Sequence, residues 1–287
     1  MLGLKVEKKK GEKTRKRLMK NGTLVRGYRI KHHGEFLIFP VDTRVRGKIV
    51  ETEFEPLKKR ESVEGTFDVI GSIAIVEDEN TTVLRRKNIR SIYKKETKIR
   101  GTYRTRAYSH LAGEKKTETV HREYGCRYLL DITKVYFNPR LATERYRVTT
   151  MVKSGERVLD MFAGVGPFSI LIAKEKNVEV HSVDINPDAV YYLKKNIELN
   201  KVSTVLPHCG DCREVVKKLP KFDRIIMNLP KSSLEFMDTA LSVRKKQGTI
   251  HLYSIETEEE IPYNIIQKQR VKSYAPGKYV WRYDIRP

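Results

Sequence analysis

Four acidic or amide side chains in the second half of this chain each follow a short apolar run. Asp160 closes Val158-Leu159-Asp160, Asp184 closes the run from Val178, Asp211 comes just after Val205 to Cys209, and Asn228 follows Arg224-Ile225-Ile226-Met227. Such positions read as strand ends, where α/β proteins gather their ligands. After the first run comes Ala163-Gly164-Val165-Gly166 and then Pro167, a glycine loop opening a helix. Bare backbone there lets a ligand approach a helix N-terminus closely. Asp184, 18 residues after Gly166, is placed to accept hydrogen bonds from ribose hydroxyls. This is close to the spacing of a dinucleotide site, and three details favour S-adenosylmethionine instead. A carboxylate at Asp160 would repel a pyrophosphate but suits a cationic amino-acid moiety. Asp211 can accept from an adenine amino group. Asn228-Leu229-Pro230-Lys231 ends its strand in a rigid turn able to hold the edge of a planar base.

Alternating elements must carry these residues. Pro167 to Lys174 and Ala189 to Leu199 read as helices, Phe236 to Val243 as a third, and Gly248 to Tyr253 as a further strand. Strands alternating with helices predict a parallel, doubly wound sheet from Gly155 onward. Upstream, Lys8 to Asn21 reads as a basic helix stopped at Asn21-Gly22, followed by short strands at Tyr28 to Lys31 and Phe36 to Phe39. Residues 56–66 are polar, with Pro56 and Gly65, and mark a boundary. Beyond it Phe67 to Ile70, Ile73 to Val76, Thr117 to His121 and Arg127 to Ile132 read as strands, and Thr143 to Val152 as a helix. Ile89, Ile92 and Tyr93 have the spacing of one helix face. The fold class is therefore α/β: a C-terminal Rossmann-type domain at 151–287, with two smaller α/β domains at 1–62 and 63–150.

The 287 residues hold 58 Lys and Arg against 36 Asp and Glu, a formal net charge of +22. Residues 1–150 carry 36 basic and 19 acidic groups, and residues 151–287 carry 22 and 17. The excess of +17 in the first half against +5 in the second predicts a polyanion partner, held largely outside the cofactor unit. No apolar run is long enough to span a bilayer and no apolar segment follows Met1, so neither a membrane location nor secretion is expected. Three cysteines make no disulfide framework and fit a reducing cytoplasm. His208-Cys209-Gly210-Asp211-Cys212 holds a Cys-x-x-Cys with no second pair, so it reads as the loop around the adenine, and no metal is expected.

The run Asp160 to Phe168, with Asn228-Leu229-Pro230-Lys231-Ser232, resembles the archaeal and eukaryotic tRNA (guanine-37, N1) methyltransferase family. So do Tyr136 to Arg145, Tyr103-Arg104-Thr105-Arg106, Lys272 to Pro276, Phe67 to Val76 and the Lys8 to Arg17 helix, which spreads the resemblance over nearly the whole chain. The stretch between Val76 and Arg104 is shorter than the family pattern, so an amphipathic helix is expected to be trimmed or missing.

The resemblance implies methyl transfer from S-adenosylmethionine to N1 of the guanine beside the anticodon. A small N-terminal domain would recognise the tRNA elbow and the rest the anticodon loop, in a cytoplasmic monomer without an obligate protein partner. It implies Glu144 as general base on N1, Arg104 as the group stabilising charge on O6, and Asn228 as a holder of the base. Cofactor contacts would come from Arg145, Asp160, Phe162, Gly164, Asp184, Ile185, Asp211, Cys212, Asn228 and Pro230. RNA contacts would come from Tyr136, Arg140, Arg104 and Lys231. Blander readings stand beside these: Glu144 with Arg145 and Arg147 as an ordinary surface pair, Arg104 as a phosphate contact, and Tyr136 as core. Rival functions are methylation of a tricyclic wyosine precursor, aminocarboxypropyl transfer, or non-catalytic tRNA binding.

Overall fold

Leu2–Glu7 alternates apolar and polar side chains and forms strand β1, with Leu4 buried. A 3-10 turn at Lys8–Lys10 leads into helix α1, Gly11–Lys20, which presses Leu18 into the same core as Leu4, Phe39 and Val41. The helix stops where Gly22 takes a left-handed φ of 65° and Thr23 N–H bonds back to the Leu18 carbonyl. Strands β2 (Lys31–His33), β3 (Phe36–Pro40) and β4 (Ile49–Glu51) complete an antiparallel sheet in the order β2-β3-β1-β4. The strand expected at Tyr28 begins only at Lys31, and Tyr28 makes a lone bridge to Pro56. This computed structural model describes residues 1–57, 66–79, 81–255 and 261–286, which fall into two compact units, Met1–Val63 and Glu64–Pro287. Most of the boundary read at 56–66 lies outside the described residues.

The second unit opens with a four-stranded sheet of β5 (Phe67–Ile70), β6 (Ile73–Val76), β7 (Ser91–Lys95) and β8 (Tyr108–Gly113), in that order. The helix face read from Ile89, Ile92 and Tyr93 is corrected here. Ser91–Lys95 is a strand, parallel to β6 and antiparallel to β8, and both Ile92 and Tyr93 are buried. A strand covered on both faces loses its period of two, so three apolar residues at 89, 92 and 93 mimic a helix. Among the described residues the connection from β6 to β7 contains one 3-10 turn, Thr82–Arg85, and no α-helix. The hairpin of β9 (Glu118–Glu123) and β10 (Cys126–Asp131) follows, then helix α2, Ala142–Met151.

From there strands and helices alternate: β11 (Arg157–Asp160), α3 (Pro167–Glu175), β12 (Glu179–Asp184), α4 (Pro187–Asn200), β13 (Val205–Cys209), α5 (Cys212–Val215), β14 (Phe222–Met227), α6 (Met237–Val243) and β15 (Arg244–Ser254). A long hairpin, β16 (Ile265–Ala275) and β17 (Lys278–Ile285), closes the chain. The sheet runs β13-β12-β11-β14-β15-β17-β16, parallel through β15, with β17 antiparallel to β15. Strand order reverses between β11 and β14, and such a switch point opens a crevice at the strands' carboxyl ends. This is the expected Rossmann-type α/β fold.

The hairpin β9–β10 is welded to this sheet's helix α4. Asn196 bonds both Leu129 N and Leu129 O, and Asn200 bonds both Arg127 N and Arg127 O, so two buried amides serve the backbone of β10 as another strand would. One apolar cluster runs from Ile70 and Ile75 through Tyr128 to Val165 and Leu193. The division expected at residue 150 is therefore not a break in packing.

Candidate active site

At the switch point a cavity is walled by the ends of β11, β12 and β14, the segment Tyr136–Asn138, and the turn that carries Arg104. The glycine loop builds its floor. Gly164 has φ +56° with nothing closer to a would-be Cβ than the Tyr136 carbonyl at 3.8 Å, so the backbone conformation there selects glycine. Gly166, φ +85°, adds a packing constraint: a Cβ would lie 2.3 Å from Leu193 Cδ1 and 3.1 Å from Ile170 Cδ1, so a larger residue there has to displace side chains of α3 and α4.

Asp184 ends β12 with its carboxylate in the wall. Oδ2 accepts from Gly164 N at 2.6 Å and Oδ1 from Asn186 N at 2.9 Å. Burial pushes its pKa up, and those two N–H donors and the charge of Arg104 oppose the rise. Asp160, wholly enclosed at the end of β11, accepts from Ser169 Oγ at 2.8 Å, and Ser169 in turn accepts from Ser182. Its other oxygen, Oδ1, is buried without a well-formed hydrogen bond; burial, helped by the charge of Asp184, pushes the carboxyl up to about 7 against the opposing Ser169 hydroxyl and Phe162 N–H. Phe162, Ile185 and Phe236 give the cavity apolar sides, with Phe162 and Phe236 edge to face at 5.0 Å. Cys212 also lines it, and burial, helped by the charge of Asp211, pushes the thiol up to about 12, so the sulfur stays protonated. Among the described residues no group of His, Cys, Asp and Glu could hold a metal.

Arg104 enters from the opposite side. Its φ of 54° is left-handed, unusual for a residue with a side chain, and its N–H closes a turn onto the Gly101 carbonyl. The guanidinium lies over the Tyr136 ring at 4.8 Å. Asn228, first residue after β14, completes the rim; beyond it Leu229 N donates to Ser233 Oγ, which donates to Met227 O.

Of the residues singled out in the sequence, this cavity gathers Arg104, Tyr136, Arg145, Phe162, Gly164, Asp184, Ile185, Asp211, Cys212 and Asn228. It does not gather Glu144, Asp160, Pro230, Arg140 or Lys231. Asp160 is buried, and the next two residues, Met161 and Phe162, line the cavity in its place. Arg140 Nε donates to Asp68 at 2.6 Å in a neighbouring cavity, and Lys231 Nζ lies 5.8 Å from the Tyr274 ring. The oxygens of Asp211 are taken by Arg213, whose Nη2 lies 2.5 Å from Oδ2. The guanidinium of Arg145 is largely spent on the Glu123 carboxylate, at 2.6 Å twice, and on the Asn138 carbonyl.

Glu144 corrects its blander reading. It is not a surface residue; its side chain is 3% exposed and pairs with Arg282, also buried, at 3.0 Å. Tyr253 Oη donates to the same oxygen at 2.8 Å, and Arg147 pairs with the other. Arg282, Tyr253 and Glu123 were missed in the sequence, and no local spacing signals them: Glu144 and Arg282 are 138 residues apart.

Family comparisons agree with this geometry. Residues 119–279 match the TRM5/TYW2 methyltransferase domain, and residues 3–49 the tRNA methyltransferase 5 N-terminal domain. The chain is 42% identical to the tRNA (guanine(37)-N(1))-methyltransferase Trm5b of Pyrococcus abyssi over an alignment of 330 positions, gaps included, covering 99% of this chain and 98% of the relative. It is 34% identical to the tRNA(Phe) (4-demethylwyosine(37)-C(7)) aminocarboxypropyltransferase of Methanocaldococcus jannaschii, over 75% of this chain and 94% of that one. Among solved structures, that of aTrm5 in complex with tRNALeu superposes with a TM-score of 0.69 at 34% identity, covering 99% of both chains. With both domain models matched and a relative aligned from end to end, the chain belongs to the TRM5/TYW2 methyltransferase family.

Proposed function

We propose that this chain transfers a methyl group from S-adenosylmethionine to N1 of the guanine at tRNA position 37, with Arg104, Asn228 and Glu144 acting on the base. The observation that carries this reading is one cavity in which the Asp184 carboxylate and the glycine loop face Arg104, Tyr136 and Asn228. S-adenosylmethionine, when bound, supplies an electrophilic methyl group. The residues fit it: free lone pairs of Asp184 suit ribose hydroxyls, Phe162 and Ile185 suit a flat adenine, and Asp160, enclosed beside the cavity rather than in its lining, favours the ammonium of the methionine moiety through its charge.

Guanine N1 is a poor nucleophile while it holds its proton, and losing that proton moves negative charge onto O6. Arg104 donates to O6 from a guanidinium already braced on Tyr136. Asn228 holds the base edge in register. By the family resemblance Glu144 takes the N1 proton; it lies outside the cavity lining, held by Arg282, Tyr253 and Arg147, and has to leave those partners to do so. The target base is splayed out of its loop to reach the site. Phosphates elsewhere on the tRNA meet the basic first half of the chain, whose N-terminal unit engages the elbow. Among the described residues no helix is long and apolar enough to cross a membrane; we assign the chain to the cytoplasm as a monomer.

The test is labelled-methyl transfer to tRNAs with guanosine or adenosine at position 37, followed by mass spectrometry of the nucleosides. 1-Methylguanosine from the first alone is the expected product. Transfer to the adenosine tRNA with none to guanosine overturns the reading, and product only from a wyosine-precursor tRNA replaces it with the wyosine alternative. Glu144→Gln should lower the rate with little change in cofactor affinity.

A further inference from the structure

A second cavity of about 400 Å³ lies across the wall formed by Arg104, Tyr136, Phe137 and Asn138, which it shares with the first. Its charge is unbalanced. Five cations line it, Lys95, Arg104, Arg106, Arg140 and Lys272, against two carboxylates, Asp68 and Glu77. The acids are already committed: Asp68 to Arg140 at 2.6 Å and to Lys95 at 3.3 Å, and Glu77 to Lys95 at 3.1 Å. The excess therefore falls on Arg104, Arg106 and Lys272. The Nε–H groups of both arginines are shielded from solvent and have no hydrogen-bond partner. A buried donor left unpaired costs its full desolvation, so both side chains, which line this cavity, gain by turning their donors toward an acceptor seated in it. The rest of the lining mixes the buried aliphatics Ile70, Ile75, Leu130 and Ile132 with the polar Tyr108, Asn138 and Ser273.

We propose that this second cavity is a subsite for the nucleotide next to the target guanosine in the same RNA strand, with its phosphodiester held between Arg104 and Arg106 and its sugar against the aliphatic side chains. The proposal rests on the methyl-transfer reading, because it takes the first cavity as the place of the target base. A nucleotide swung out of a loop drags its flanking phosphates toward the pocket mouth, and enzymes of this kind contact the neighbours of the flipped base as well as the base. Arg104 faces both cavities, so one guanidinium can serve O6 on one side and a phosphate oxygen on the other. Arg106 lines only the second cavity.

The experiment measures binding of an anticodon stem-loop RNA, and separately of S-adenosylmethionine, by the full chain and by Arg106→Ala. Three RNAs are used: unmodified, and with an uncharged methylphosphonate replacing the linkage on the 5′ or the 3′ side of the target. Loss of a charge-assisted contact should weaken unmodified RNA binding about tenfold in Arg106→Ala, with cofactor affinity unchanged. One methylphosphonate should cause the same loss in the wild type and no further loss in the variant. Wild-type-like RNA binding by Arg106→Ala, or losses that multiply at both linkages, would overturn the subsite. So would displacement of the stem-loop by inorganic phosphate at constant ionic strength, which marks a free-anion site. If cofactor affinity falls as well, Arg106→Gln, closer in size, repeats the comparison and decides it by the same two outcomes. RNA binding is read without turnover, so failure of the subsite and failure of methyl transfer to guanosine 37 remain separate results.

Discussion

Arg282 donates from Nη1 to Oε1 of Glu144 at 3.0 Å, joining the last strand of the sheet to helix α2 through two side chains that are 0% and 3% exposed. Arg282 is itself held by Asp284, at 2.8 and 3.1 Å, and Asp284 accepts from His251 Nδ1 at 2.5 Å. Arg224 donates to the other ring nitrogen of His251, so that imidazole is neutral, with its proton on Nδ1. Burial pushes the His251 pKa down, which fits this tautomer. Glu144 is thus the inner end of a buried ionic row that reaches Glu156 through Arg224. Removing one member of a buried pair strands the other. Arg282→Met should cost about 3–5 kcal/mol of stability, read as a lower melting temperature. The double variant Arg282→Met/Glu144→Gln should regain part of that loss, because the stranded carboxylate is gone. Strict additivity of the two stability losses would refute the coupling.

On the proposed reading, Asp160 should make the cofactor affinity of this tRNA methyltransferase pH-dependent. Burial raises its carboxyl from 3.8 to about 7, and only the ionised form suits an ammonium group. S-adenosylmethionine should therefore bind more tightly as pH rises toward and through 7, by up to about tenfold per unit below it. Stability runs the other way. A raised folded-state pKa favours the fold fully below pH 4, and that contribution is lost as pH rises through about 7. Calorimetric titration from pH 5.5 to 8.5 tests the first statement, and denaturant unfolding over the same range tests the second. Asp160→Asn should flatten both profiles, and an unchanged affinity profile in that variant would contradict the assignment.

Gly164 and Gly166 should respond differently to a single methyl group. Gly164→Ala meets no atom nearer than 3.8 Å and bears only the left-handed backbone penalty, about 1–2 kcal/mol. Gly166→Ala bears that penalty and also drives Cβ to within 2.3 Å of Leu193 Cδ1. Thermal melts should rank Gly166→Ala as the less stable. Cofactor titration should show the larger affinity loss per degree of destabilisation in Gly164→Ala, since Gly164 alone lines the cavity.

What the sequence revealed follows from the range of the interactions concerned. Strands β11, β12, β13 and β14 were readable because each is a short apolar run ended by Asp160, Asp184, Asp211 or Asn228, and the glycine loop needs left-handed φ values that local sequence announces. The outline of the cavity is therefore legible in local sequence. Strand β7 was misread because both its faces are covered. The hairpin β16–β17 passed unnoticed: Gln267 to Arg270 is a polar run on the outer strand, where solvent permits any side chain. The environment of Glu144 was illegible for a different reason. Its partners Tyr253 and Arg282 lie 109 and 138 residues away, and only the sheet order brings them to α2. The same holds for Arg145, whose match to the family signature suggested a cofactor contact while its guanidinium is largely spent on Glu123.

Arg104 offers the sharpest separation of stability from activity. It holds a left-handed φ of 54°, a conformation that costs a side-chain-bearing residue about 1–2 kcal/mol and glycine almost nothing. The return is placement: the turn closed onto Gly101 lays the guanidinium over Tyr136 at 4.8 Å, with the target cavity before it. Backbone strain of this kind persists at functional sites because the surroundings over-determine it. Arg104→Gly should therefore raise the melting temperature or leave it unchanged, since the relieved backbone, with the removal of a shielded and unpaired Nε–H, outweighs one half-buried cation–π contact of about 1 kcal/mol. The same variant should lose about 10²–10³ in single-turnover methyl transfer, the range for removing a donor that meets developing negative charge. Arg104→Lys keeps the charge and the strain but not the planar, multidentate donor, so its stability should match the wild type and its rate fall between the two. A glycine variant that melts well below the wild type would show that Arg104 is kept for packing. One that melts higher and turns over at the wild-type rate would remove Arg104 from the chemistry.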